Sequence, residues 1–249
     1  MSFNTKKAFI TGITGQDGYY LTKFLISKGY AVHGLIRRKS KVDFGHLEEI
    51  PNWRRHVTLH VGDLTDAHSL NDILIHNKFD EIYHLGAQTF VKESFNNPDY
   101  TLQVNVIGTQ NLLSAVKMFQ PDTKLYNAGT SEMFGNAPMP EPGYNIHVPM
   151  QPASPYGVAK NAAYELCKVY REAYGMFIST GVLMNHESPH RGDEFVTQKI
   201  VKGMVRAFTE ENPEPLVLGN LDAMRDWGYA GDFVKAQYLM LQKDKPPFF

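Results

Sequence analysis

Residues 7–18 read KAFITGITGQDG, a short apolar run that ends in glycines and passes into GYYLTKFLISKG (18–29). The run suits a strand buried on both faces. The segment after it repeats apolar residues at helical spacing and closes on a glycine of the kind that caps helix C-termini. Between the two, Gly12, Gly15 and Gly18 stand in a G-x-x-G-x-x-G spacing. Glycines at a strand-to-helix turn permit a tight bend and let backbone N–H groups approach a pyrophosphate at the helix N-terminus. A plain turn could use the same three residues, so their surroundings decide.

The surroundings alternate. AVHGLI (31–36), VTLHV (57–61), EIYHLGA (81–87) and KLYNAG (124–129) read as further strands, with helical patterns at LNDILIHN (70–77) and over 98–119 between them. Strand, helix, strand in repetition predicts an α/β fold with a doubly wound parallel (Rossmann) sheet, because right-handed crossovers need an element to bridge them. A proline-rich loop, 135–153, breaks the pattern before a helix that begins near Ser154. After residue 185 the alternation loosens. EFVTQKIVKGMVRAF (194–208) is expected as a helix, PLVLG (215–219) as a short strand and DFVKAQYLMLQ (232–242) as another helix. The tail KDKPPFF reads as an interruption rather than the end of a finished domain.

Bulk properties narrow the function classes. The 249 residues suffice for one large domain, or one and a fraction, and 43% hydrophobic with 20% charged residues is an ordinary globular balance. A formal net charge of −1 points to neither a nucleic-acid nor a membrane partner. Cys167 is the single cysteine, so no intrachain disulfide is expected, and its apolar helical setting reads as a packed thiol. The N-terminus runs into the first strand without a signal-type apolar region, and no run approaches bilayer length. A cytoplasmic, reduced setting is expected. No metal is expected either, since neither HExxH nor clustered cysteines occur.

Chemistry-bearing residues fall at the strand ends. After the second strand comes LIRRKS, where Arg37 and Arg38 would welcome a 2′-phosphate and a carboxylate would instead favour a free ribose hydroxyl. That reading selects NADP over NAD; a solvated basic loop is the alternative. Asp63 and Leu64 follow the third strand, where a carboxylate can reach an adenine amino group. Leu85, Gly86, Ala87 and Gln88 follow the fourth, on the path to a nicotinamide. AGTSEMFG places Thr130, Ser131 and Glu132 after the fifth. In SPYGVAK, Tyr156 and Lys160 stand four apart and so project from one helix face. A lysine beside a phenol is expected to lower its pKa toward working pH. Glu132 beside Thr130 points beyond simple dehydrogenation, because eliminating water from a hexose needs a base at C5 and an acid for the departing 6-hydroxyl.

The glycine spacing matches the extended short-chain dehydrogenase variant, and Thr130, Tyr156 and Lys160 match the hydroxyl-handling set of that superfamily. GITGQDG, RRKS, GDLTD, LGAQTFVKESF, TSEMFG, SPYGVAK, NHESPHRG, FVTQKI and RDWGYAGDFVKA, spread over the whole chain, resemble the GDP-mannose 4,6-dehydratase family. The resemblance implies a lyase that dehydrates a GDP-sugar by internal hydride transfer through bound NADP. It assigns catalysis to Thr130, Glu132, Tyr156 and Lys160. It assigns cofactor binding to Gly12, Thr14, Gly15, Gln16, Asp17, Gly18, Arg37, Arg38, Asp63, Leu64, Leu85 to Gln88, Tyr100, Lys160, His186 and Arg191. For substrate it implies Ser131, Asn185 and Glu187, with Lys199 and Arg225 as diphosphate partners; for those two a surface role fits equally. His186 fits a packed histidine as well as a ligand contact. Residues 1–185 are expected as the NADP-binding domain and 186–249 as an interleaved, truncated substrate-binding part. A homodimer or homotetramer is implied. Two departures stand out: His190 replaces the usual arginine, and Lys39 the usual serine. A dehydratase of another GDP-sugar, such as a GDP-manno-heptose, shares these residues. A reductase or epimerase lacks a use for Glu132, and a non-catalytic NADP-binding fragment remains the reading from a different class.

Overall fold

The computed structural model describes residues 5–41, 43–141, 143–145 and 147–247. Pro142 and Ile146 of the proline-rich loop, Met1–Asn4 ahead of the first strand and Phe248 and Phe249 of the tail lie outside the described residues. Six parallel strands form the central sheet: β1 (Lys7–Thr11), β2 (Ala31–Ile36), β3 (Val57–Val61), β4 (Glu81–His84), β5 (Lys124–Ala128) and β6 (Ile178–Gly181). Their spatial order, β3-β2-β1-β4-β5-β6, reverses direction between β1 and β4. That reversal opens a crevice at the C-terminal strand ends, where ligands bind in doubly wound sheets.

Alternation along the strands divides the core into two layers. Phe9, Ile82 and Leu125 pack with Leu70 and Ile73 of α2 (Ala67–His76), with Leu112 and Val116 of α5 (Gly108–Phe119) and with Cys167 of α6 (Pro155–Tyr174). Ala8, Ile10, Tyr83 and Tyr126 face the other way, onto Leu21 and Leu25 of α1 (Gln16–Ser27) and Val234 and Leu241 of α8 (Ala230–Leu241). Burial on both faces is why these strands read as continuous apolar runs. Helix α8 therefore completes the layer that α1 starts.

The 98–119 stretch is helical in three pieces. α3 (Val91–Asn96) precedes it; α4 (Pro98–Leu102) then runs through a π-helical turn, Gln103–Ile107, into α5. π-turns inside helices mark functional sites more often than chance, and this one carries Asn105 toward the crevice loop. Beyond β6 lie a two-stranded parallel pair, β7 (Asn185–Glu187) with β8 (Trp227–Tyr229), and α7 (Val196–Thr209).

PLVLG is not a strand. Pro215 opens it without an N–H, and no strand among the described residues lies beside it. Its Leu216 instead reaches Gly203 of α7, while Val217 stays 81% exposed. The outward face of α7 is apolar, with Val201, Met204, Val205 and Phe208 exposed. No helix among the described residues is long and apolar enough to cross a membrane.

Candidate active site

A cleft of about 650 Å³ runs along the C-terminal ends of β1, β4 and β5. Its floor is the glycine turn. Gly12 holds φ +75°, and a Cβ there would stand 2.8 Å from the backbone nitrogen of Gly86. Only glycine lets the two loops pass this closely, so the first and fourth strand ends share one wall. Thr14, Gly15, Gln16, Asp17 and Gly18 continue that wall into the N-terminus of α1. A turn whose three glycines leave backbone N–H groups open at a helix N-terminus is the shape and polarity that a pyrophosphate requires.

Hydrogen bonds fix the opposing loop. Thr109 Oγ1 donates to Asn105 O at 2.7 Å, so it accepts from His84 Nε2 at 3.0 Å. His84 Nδ1 must then accept from Thr11 Oγ1 at 2.8 Å, and Thr11 Oγ1 accepts from the Gly86 N–H at 3.0 Å. This chain sets His84 as the neutral tautomer with its proton on Nε2. Burial agrees, pushing the His84 pKa down to about 3. Asn105 closes the arrangement: its Oδ1 accepts from the Gln88 N–H at 2.8 Å and its Nδ2 donates to Gln88 O at 2.9 Å. Gln88 is thus a buttress behind the cleft rather than part of its lining.

The basic end divides. Arg37 lines the cleft and donates through Nη1 to the Tyr100 hydroxyl at 2.8 Å, which aims its guanidinium. Arg38 is absent from the cleft lining and borders only an adjoining depression, which Arg37, Lys39, Asp63, Asp66 and Ser69 also line. Asp63 and Leu64 line the cleft itself.

The hydroxyl-handling residues meet at the other end. Ser154 Oγ accepts from the Gly157 N–H at 3.0 Å, Pro155 occupies the first turn, and α6 starts there. A Cβ on Gly157 would lie 2.6 Å from Glu132 O, so this glycine lets α6 dock on the 3-10 turn Ser131–Met133. Docking brings Tyr156 and Lys160 into one lining with Thr130, Ser131 and Glu132.

One expectation is corrected here. Burial pushes the Tyr156 phenol up to about 12; hydrogen bonding with Thr130 pulls it back, and the Glu132 carboxylate raises it again. Lys160 Nζ donates to Ala128 O at 2.9 Å, and burial pushes the ammonium down to about 8.

Asn185, His186 and Arg191 also line the cleft. His186 pairs with Asp17 and stacks on Phe233 of α8 at 4.7 Å. Glu187 lies behind the lining, 3.3 Å from Arg191 Nε, and accepts a hydrogen bond from Thr197. The Arg191 guanidinium covers the Phe195 ring at 3.6 Å. Lys199 and Arg225 are exposed and outside the cleft lining.

A family model described as GDP-mannose 4,6 dehydratase matches residues 9–249. A GDP-mannose 4,6-dehydratase of Vibrio cholerae is 46% identical over 250 residues, covering 98% of this chain and 66% of the relative. The human GDP-mannose 4,6 dehydratase is 47% identical over 249 residues, covering 97% and 66%. The chain therefore spans just under two thirds of the length of these curated relatives. Among solved structures, RMD from Pseudomonas aeruginosa complexed with NADPH superposes with a TM-score of 0.79 at 26% identity, covering 97% of this chain and 73% of that one. UDP-glucose 4-epimerase of Thermus thermophilus reaches a TM-score of 0.81 at 24% identity, covering 96% and 75%, a likeness of fold.

Proposed function

The chain belongs to the GDP-mannose 4,6-dehydratase family, and we propose that it dehydrates GDP-mannose to GDP-4-keto-6-deoxymannose with NADP held in the cleft. One observation carries the reading: Thr130, Glu132, Tyr156 and Lys160, from two separate elements, line the same cleft as the glycine turn. The backbone N–H groups of the glycine turn and the Arg37 guanidinium as donors, with the Asp63 carboxylate as acceptor, fit a dinucleotide bearing a 2′-phosphate.

Bound in the cleft, NADP would supply hydride transfer, taking a hydride from the sugar C4 and giving it to C6. Tyr156 takes the 4-hydroxyl proton, and Thr130, hydrogen-bonded to it, positions that hydroxyl. Lys160 meets the nicotinamide ribose. Glu132 removes the C5 proton, made acidic by the neighbouring 4-ketone, and passes it to the departing 6-hydroxyl. As hydride reaches C6, the proton held by Tyr156 passes to C5, so the sugar loses one water and cofactor and side chains end as they began. Ser131 and Asn185 contact the sugar, while Arg191, held by Glu187, faces the diphosphate.

In the same reading, residues 1–185 hold the cofactor and 186–249 contribute to the substrate side, interleaved through the packing of α8 on α1. Assembly as a homodimer or homotetramer is supported by apolar residues exposed on helices, among them Leu102, Ile107, Val158 and Val169.

The test is direct. Purified protein is incubated with GDP-mannose and a catalytic amount of NADP⁺, and the nucleotide-sugar is weighed by mass spectrometry. Loss of one water with appearance of a 4-keto product is expected. An unchanged sugar with cofactor demonstrably bound overturns the activity.

A further inference from the structure

Three side chains from two distant segments converge at the mouth of the cleft. His46 and Glu49 lie three residues apart on the 3-10 turn Gly45–Glu49, and His190 comes from the loop after β7. His46 Nδ1 is 2.8 Å from Glu49 Oε1, and His190 Nδ1 is 3.5 Å from the same oxygen. One ligand atom from each residue lies within 4.8 Å of the other two.

The arrangement is held from behind. Leu47, between the two ligands on the turn, is fully buried and anchors it. The His190 ring packs at 4.3 Å on both Tyr19 and His46, and its backbone N–H donates to Ser188 Oγ at 3.1 Å. Its side chain is only 14% exposed, whereas that of Glu49 is 51% exposed. The triad therefore has a packed back and an open front.

We propose that His46, Glu49 and His190 bind a divalent transition-metal ion of the zinc class, with water completing the shell on the open side. Two imidazoles and one carboxylate are a borderline donor set that suits such ions, whereas magnesium and calcium prefer all-oxygen shells. Bonds of about 2.1 Å in a tetrahedron separate neighbouring ligand atoms by about 3.4 Å. The two separations from Glu49, 2.8 and 3.5 Å, lie close to that value. A bound ion would tie the turn that borders Thr14 of the glycine loop to the loop after β7. Both histidines line the cleft, so the ion would brace two of its rims.

The experiment uses the full chain after chelator treatment and dialysis, titrated with zinc sulfate by calorimetry. One equivalent should bind with saturation and raise the melting temperature, while magnesium chloride should leave that temperature unchanged. Cobalt(II) should develop visible d–d absorption that zinc abolishes. Glu49→Gln alters a half-exposed side chain without touching packing, and His190→Arg places a permanently protonated group at the third ligand. Each should weaken zinc binding roughly a hundredfold or more, since even outer-shell changes cost ten- to a hundredfold. Equal zinc affinity in the parent and both variants, or no stoichiometric binding in the parent, overturns the site.

Discussion

His186 Nε2 lies 3.0 Å from both carboxylate oxygens of Asp17, an ion pair that joins the first helix to β7 across 169 residues. Gln16 and Gln237 donate to the same carboxylate at 3.3 and 3.2 Å, so α1, β7 and α8 meet on one charge. For Asp17, burial acts to raise the pKa, but the hydrogen bond and charge of His186 outweigh it and hold the carboxyl below 3.8. For His186, burial acts to lower the pKa, and Asp17 outweighs it, so the imidazolium persists above 6.5.

The pair therefore contributes its full stabilisation between about pH 3.8 and 6.5, where the unfolded groups would also be charged. It is lost as pH falls through the depressed Asp17 value, and again as pH rises through the raised His186 value. His186→Ala leaves Asp17 buried without its cation and should cost on the order of 3 kcal/mol near pH 6. Urea denaturation should show the gap between parent and variant shrinking as pH is raised past neutrality. A gap that widens with pH contradicts the pairing.

Cofactor preference should rest unequally on the two arginines. Arg37 lines both the cleft and the adjoining depression and is aimed by Tyr100, while Arg38 lines the depression alone. Arg37→Ala should lose most of the preference for NADP over NAD, at least tenfold or about 1.4 kcal/mol. Arg38→Ala should lose less, and Tyr100→Phe should weaken NADP without weakening NAD. Equal dissociation constants of the parent for the two cofactors would sink the 2′-phosphate assignment.

Gly157→Ala should damage the junction that assembles the site. Its Cβ would sit 2.6 Å from Glu132 O, and backbone cannot yield as a flexible side chain does. Overpacking of this kind costs about 1–3 kcal/mol. The relief moves α6, with Tyr156 and Lys160, relative to the 131–133 turn, so turnover should fall. Unaltered urea midpoint and turnover would mean that the contact relaxes freely.

Much of this arrangement was legible in the sequence because it is local. Buried parallel strands write themselves as apolar runs, and the glycine turn sits beside its strand. Tyr156 and Lys160 share a face by spacing alone. What escaped was long-range. His84, Asn105 and Thr109 read as polar residues in apolar stretches, and only the fold shows them propping the 85–88 loop. Strands β7 and β8 are three residues each, too short for a period to register. Lys160 looked like a partner for Tyr156, but an amine has a long reach, and the Ala128 carbonyl lies within it. The meeting of His46 with His190 depends on a loop that no pattern places.

Glu132→Gln should separate oxidation from elimination. The amide keeps the shape of a side chain that lines the cleft beside Thr130, but it removes the proton acceptor. Oxidation at C4 should proceed, so reduced-cofactor absorbance should accumulate without dehydrated product. Unchanged turnover would assign the C5 proton to another group.

Tyr156 supplies the most demanding test, because its environment in the protein opposes its proposed task. Burial holds the phenol near 12, and Lys160 is engaged with Ala128 O. The positive nicotinamide of a bound cofactor is then the group expected to bring the phenol down toward working pH. The profile of kcat/KM for cofactor reports the free protein and should keep rising toward the alkaline limit of stability. The profile of kcat reports the loaded protein and should level off at lower pH. Tyr156→Phe should lose roughly 10²–10⁴ in rate, the usual contribution of a general base. Lys160→Met should weaken cofactor binding as well as turnover, and should leave the kcat/KM limb near its parent position. If instead both parent profiles level off together well below pH 10, the phenol is already tuned in the free protein. Lys160 would then act on it directly, as the four-residue spacing first suggested.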